Sequence, residues 1–112
     1  MAYNEALTNR VRELLADIPN VEERKMFGSI GFIVNGNLCL GVGSHADHIM
    51  MVRVGLEKYE EALMKKGAAP AVMRGRERKG YVFLLPEAIE VQSDLKGWVD
   101  VALEYNKLLQ RK

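Results

Sequence analysis

A single cysteine, Cys39, is all the chain offers in 112 residues, so no intrachain disulfide can staple it and a reducing compartment is the expected setting. Its place inside an apolar segment reads as a small buried hydrophobe rather than a reactive thiol. No apolar run approaches the roughly 20 residues that a membrane-spanning helix requires, and the N-terminus carries no hydrophobic signal segment. Those absences make the cytoplasm the expected location, with no membrane partner. A dominant charge is missing too: 16 Lys plus Arg stand against 15 Asp plus Glu, a net of +1, so no global field draws the chain to nucleic acid. Any such attraction has to be local. The length suits one compact domain over residues 1–112, and 48% hydrophobic with 28% charged residues argues against disorder.

What is present is periodic. Leu7, Val11, Leu14, Leu15 and Ile18 recur at helical spacing, which predicts an amphipathic helix over residues 4–18 closed by Pro19. Asn35-Gly36 sits between two β-prone runs, Phe32–Val34 and Asn37–Leu40, the strongest short-range signal for a two-residue type I′ hairpin. Residues 48–54 alternate as a third strand, with Met50, Val52 and Val54 on one face and Ile49, Met51 and Arg53 on the other. Arg53 thus emerges from an apolar row.

From Leu56 to Lys66 the pattern turns helical, with Glu57, Glu60 and Glu61 early, Lys65 and Lys66 late, and Gly67 placed to close it. Residues 71–73 and 79–85 are candidate strands around a turn at residues 74–78, with Pro86 ending the second. Ser93-Asp94 can start a last helix that carries Leu95, Trp98, Val99, Ala102, Leu103 and Leu109 toward the core. The order is α-β-β-β-α-β-β-α, an α+β domain with a mostly antiparallel sheet and helices packed on it.

Enzymatic patterns are weak. The G-x-S-x-G elbow is absent, and Ser29 and Ser44 have no base beside them in sequence. Gly41-Val42-Gly43-Ser44-His45-Ala46 starts like a dinucleotide loop but lacks the last glycine and leads into another strand. His45-Ala46-Asp47-His48 supplies two imidazoles and a carboxylate, yet without a second Cys or a third His the expected state is a solvated turn, with no metal or other cofactor.

The basic cluster carries more. Arg74, Arg76, Arg78 and Lys79 surround Glu77, while Lys25 and Arg53 come from two other segments. If the sheet gathers them, their donors can hold a phosphate, a carboxylate or a partner's acidic patch. The bland alternative is a solvated charged hairpin with an internal ion pair for Arg53. Phe27, Tyr81 and Phe83 fit core packing better than base stacking, and Met50, Met51, Met64 and Met73 likewise read as packing residues.

Met26-Phe27-Gly28 with Gly31 and Phe32, the Asn35-Gly36 hairpin, Arg53, Gly67-Ala68, Gly75-Arg76 and Lys79-Gly80-Tyr81 occur in the order seen in the N-terminal domain of the TfoX/Sxy competence regulators, which the chain resembles over almost its whole length. It departs from that pattern at Ser29, where relatives often carry a second glycine, and at Tyr81, where they often carry tryptophan. The resemblance implies a fold related to the secretion-chaperone class. It also implies a non-enzymatic regulatory domain, associated in relatives with DNA uptake and acting on transcription through other proteins. A stand-alone domain without the C-terminal domain of longer relatives is expected, as is a homodimer by analogy with that structural class. The candidate partner or anion surface is then Lys25, Phe27, Gly28, Arg53, Arg76 and Lys79. Direct nucleic-acid binding and a small anionic ligand are the alternatives.

Overall fold

The computed structural model describes residues 5–26, 29–43 and 49–109. Helix α1 (Glu5–Leu14) is followed by β1 (Val21–Met26), β2 (Ser29–Val34), β3 (Asn37–Val42) and β4 (Met50–Arg53). A single helical turn, α2 (Tyr59–Leu63), leads to β5 (Ala68–Met73) and β6 (Arg76–Leu84). A short 3₁₀ turn at Pro86–Ala88 then opens into α3 (Gln92–Leu108). The six strands form one sheet in the order β1-β2-β3-β4-β6-β5, and every neighbouring pair is antiparallel. The fold is α+β as expected, helix and strand groups following one another in the expected order, and the first strand group gains a member at β1.

The extra strand has a physical reason for being hard to read. Glu22, Glu23, Arg24 and Lys25 are poor strand formers by composition, but β1 lies at the sheet edge, where exposed charges are tolerated and discourage pairing with other chains. Arg12 of α1 holds the strand from the helix side, its Nε and Nη2 donating to the two Glu23 carboxylate oxygens at 2.8 and 2.7 Å. That fork keeps the Glu23 carboxyl below its ordinary range. The opposite edge, β5, includes Pro70, whose missing N–H an edge position accommodates.

The helix proposed over Leu56–Lys66 shrinks to Tyr59–Leu63. Tyr59 and Ala62 are buried there and Leu63 packs half-buried against the core, so packing rewards little more than one turn; Leu56 stays 73% exposed and Met64 87%, against the packing role expected for Met64. The turn expected over residues 74–78 tightens to two residues, Arg74 at φ 54° and Gly75 at φ 75°, the signs of a type I′ hairpin, so Arg76 and Lys79 lie on β6. The Asn35-Gly36 turn forms as expected, with φ of 53° and 83°. Beyond it, Phe32 pairs with Leu40 while Ile33 pairs with Leu38, a bulge that leaves Cys39 without an opposite residue.

One contiguous core lies between the sheet and the helices. Leu7, Val11 and Leu15 from the first helical segment, and Leu95, Trp98, Val99 and Ala102 from α3, cover Phe32, Leu40, Val52 and Val82, all 4% exposed or less. The alternation expected for β4 holds: Met50, Val52 and Val54 are buried and Met51 and Arg53 half-buried. Asn106 in α3 donates from Nδ2 to the Val34 carbonyl at 3.1 Å, which satisfies a buried polar group where helix meets sheet. No helix among the described residues is long and apolar enough to cross a membrane.

Candidate functional site

Strand alternation brings Arg53 out of the row that buries Val52 and Val54, and the antiparallel register sets Tyr81 of β6 directly across from it. The Arg53 guanidinium carbon lies 5.4 Å from the Tyr81 ring centroid and 5.4 Å from that of Tyr105 on α3. Each such contact contributes about 0.5–1 kcal/mol at partial exposure. Nη1 also donates to the Leu38 carbonyl across a long 3.4 Å. Arg53 meets no carboxylate within ion-pair distance among the described residues, so the expected internal ion pair is replaced by two aromatic rings; ion pairs such as Arg12–Glu23 and Lys96–Asp100 lie elsewhere. Among the described residues its remaining donors are uncommitted.

Gly55 makes the arrangement fit. Its φ is +85°, and a Cβ built there would lie 2.4 Å from Cδ1 and 2.5 Å from Cε1 of Tyr105. Only glycine lets the α3 ring come this close to the backbone leaving β4. The Val54 and Gly55 amides both donate to the Gly80 carbonyl, at 2.8 and 3.1 Å, which ties the exit of β4 to β6. Beside this junction a groove of about 410 Å³ runs past Gly55, Tyr105 and Lys58, with Leu56 and Leu108 on its rim, 73% and 75% exposed.

Cys39 lies buried at 1% exposure beside this cation. Burial pushes its thiol up to about 12, the Arg53 charge pulling weakly the other way, so it is an unreactive neighbour. Tyr81 and Phe83 are half-buried, and Tyr81 stacks on a cation rather than filling the core.

Beyond Tyr81, β6 outruns β4 and carries the basic hairpin. Arg74, Arg76, Arg78 and Lys79 are all exposed. Glu77, in their midst, accepts a hydrogen bond from the Tyr59 hydroxyl of α2 at 2.8 Å. Burial and this acid together push the Tyr59 hydroxyl up to about 12.

The residues singled out in the sequence do not converge on one point. Lys79 falls two residues beyond Tyr81, about 7 Å along the strand from the Arg53 pair, and Arg76 up to about 16 Å away near the hairpin tip. Lys25 is exposed on β1, opposite Ile30 in the row that continues through Val42, Met50 and Leu84. Three strand spacings and three residues separate it from Arg53, about 17 Å, so it belongs to a different part of the surface. Phe27, Gly28 and the His45–His48 segment lie outside the described residues. Among the described residues no group of three metal-ligating side chains gathers.

Sequence reasoning passed over Tyr105, Leu56 and Leu108. A signal for Tyr105 existed: Trp98, Ala102, Tyr105 and Leu109 follow one another at four, three and four residues, a single helix stripe. Neither a curated protein nor a solved structure matches the chain significantly. The model of one family, the TfoX N-terminal domain, matches residues 13–105, which takes in every strand, the Arg53 stack and the basic hairpin. The chain belongs to the TfoX N-terminal domain family.

Proposed function

We propose that the protein is a non-enzymatic regulatory module that works in the cytoplasm and contacts a protein partner of the transcription machinery. The surface assigned to that contact is the end of the sheet where Arg53, Lys79 and the groove rimmed by Leu56 and Leu108 meet. Family membership supports a competence-related regulatory domain at the coarser level. The observation that carries the finer reading is the Arg53 guanidinium, held between Tyr81 and Tyr105 with no acid in ion-pair distance among the described residues, and the groove beside Tyr105 rimmed by two leucines more than 70% exposed. A preorganised donor beside exposed apolar anchors is the make-up of an interface core, and it suits a partner that offers a carboxylate next to an apolar side chain.

The test is crosslinking in lysate of the host, comparing wild type with Leu108→Asp and Lys79→Glu. Both side chains are exposed, so the fold is left intact. A partner captured by wild type should be lost or strongly reduced with each variant. An identical partner set in all three would remove this surface from the account.

A further inference from the structure

Among the described residues, the core that the helices build lies on one face of the sheet. Met50, Val52, Val82 and Leu84 belong to it, whereas Met51, Tyr81 and Phe83, one residue out of step on the same strands, take no part and line the other face. The registers run one row of that face through all six strands, from Arg24 through Gly31, Gly41, Met51 and Phe83 to Ala69. Its two adjacent glycines leave a trough between Arg24 on β1 and Met51 on β4, strands three spacings or about 14 Å apart. The trough is open: among the described residues a Cβ built on Gly41 would meet only the Ile30 carbonyl, at 3.4 Å. Charge sorts by face as well. Glu23 and Glu77 turn to the helix side, where Arg12 and Tyr59 bind them. Arg24 and Arg53 alternate to the open side, as do Arg76 and Arg78 on either side of Glu77, against Glu22 alone, 3.9 Å from Arg24.

We propose that this face seats an acidic, amphipathic α-helix of the partner, its small or apolar stripe in the Gly31–Gly41 trough against Met51 and Phe83 and its carboxylates on Arg24 and Arg53. The inference rests on the reading that Arg53 serves a protein partner, and it adds the chemistry of the segment that is bound. Strand positions 24 and 53 are three spacings and two residues apart, about 16 Å. Eleven residues of helix rise about 16 Å and make about three turns, so acids at i and i+11 meet both arginines from one side of the helix. The trough admits the body of a helix, about 10 Å across, and the surplus of arginine on this face complements acids rather than bases. Single-stranded nucleic acid fits less well, because bases stack on a run of open rings and Tyr81 is already stacked on Arg53.

The test replaces Met51 by a diazirine-bearing residue in the full chain, irradiates it in host lysate and sequences the captured peptide by mass spectrometry. One acidic peptide should dominate, with Asp or Glu eleven residues apart and small or apolar residues at helical spacing between them. Gly41→Val fills the trough without changing charge and should lower the yield about tenfold, and Arg24→Glu should lower it severalfold. Gly41 and Arg24 both lie outside the core, and valine suits a strand, so the fold is kept. A basic peptide, a crosslink to nucleic acid or lipid, or a yield unmoved by Gly41→Val would each overturn the seating. No capture at position 51 while Leu108→Asp still loses the partner would overturn this inference and leave the reading at Arg53 standing. A partner set identical in Leu108→Asp, Lys79→Glu and Gly41→Val would remove both.

Discussion

Gly55→Ala tests the geometry that seats Tyr105 against Arg53. Two costs add. Alanine at a φ of +85° carries a left-handed penalty of about 1–2 kcal/mol. The new methyl would also lie 2.4 Å from the Tyr105 ring, whereas carbon contacts settle near 3.5–4.0 Å. The ring therefore has to retreat by about 1 Å and gives up its place on the guanidinium, a further loss of about 0.5–1 kcal/mol. The sum is about 1.5–3 kcal/mol, which urea unfolding resolves as a lower midpoint with unchanged slope. Gly75→Ala is the internal control, because its φ is +75° and nothing lies within 4 Å of the added carbon, so it loses the backbone term alone. In a Tyr105→Ala background the extra cost at position 55 should vanish and the two glycine variants should become equal. If Gly55→Ala is no more destabilising than Gly75→Ala in the wild-type background, the ring is not held as described.

Three other outcomes follow from single contacts. Asn106→Leu removes the buried amide's hydrogen bond to the Val34 carbonyl and should cost about 0.5–1.5 kcal/mol of stability in the same assay. Glu23 has a depressed folded pKa because of the Arg12 fork, so its contribution is present above its ordinary value of 4.5 and fades as pH falls through the folded value. With both side chains more than a third exposed it is worth about 0.5 kcal/mol or less, and the gap between wild type and Glu23→Gln should be steady from about pH 7 to 5 and close in more acid buffer. Cys39 should resist a thiol-specific disulfide reagent in the native state and react with one equivalent on unfolding; prompt native reaction would contradict its burial.

The elements that announced themselves in the sequence are those with two-sided logic. Leu7 and Val11 mark α1, Asn35-Gly36 marks the hairpin, and the alternation from Met50 through Val52 marks β4, because each pattern repeats what burial demands. β1 escaped for the opposite reason: an edge strand paired on one side can be all charge at its centre, and local composition then says loop. The charge order of Leu56–Lys66 suits a helix longer than α2, while only Tyr59, Ala62 and, half-buried, Leu63 have somewhere to pack.

The candidate site was half legible. Arg53 stood out as a cation in an apolar row, but its neighbours come from 28 and 52 residues further along the chain, at Tyr81 and Tyr105, and strand order decides such meetings. The same ignorance of strand order grouped Lys25 with Arg53, although β2 and β3 lie between their strands.

The measurement closest to the central claim is affinity capture of the tagged full chain from host lysate, with and without nuclease, followed by mass spectrometry. A protein-interaction module predicts a transcription-associated partner recovered equally in both arms and lost when Arg53 is replaced by alanine. Partners that disappear with nuclease would place the basic hairpin on nucleic acid instead and contradict the account.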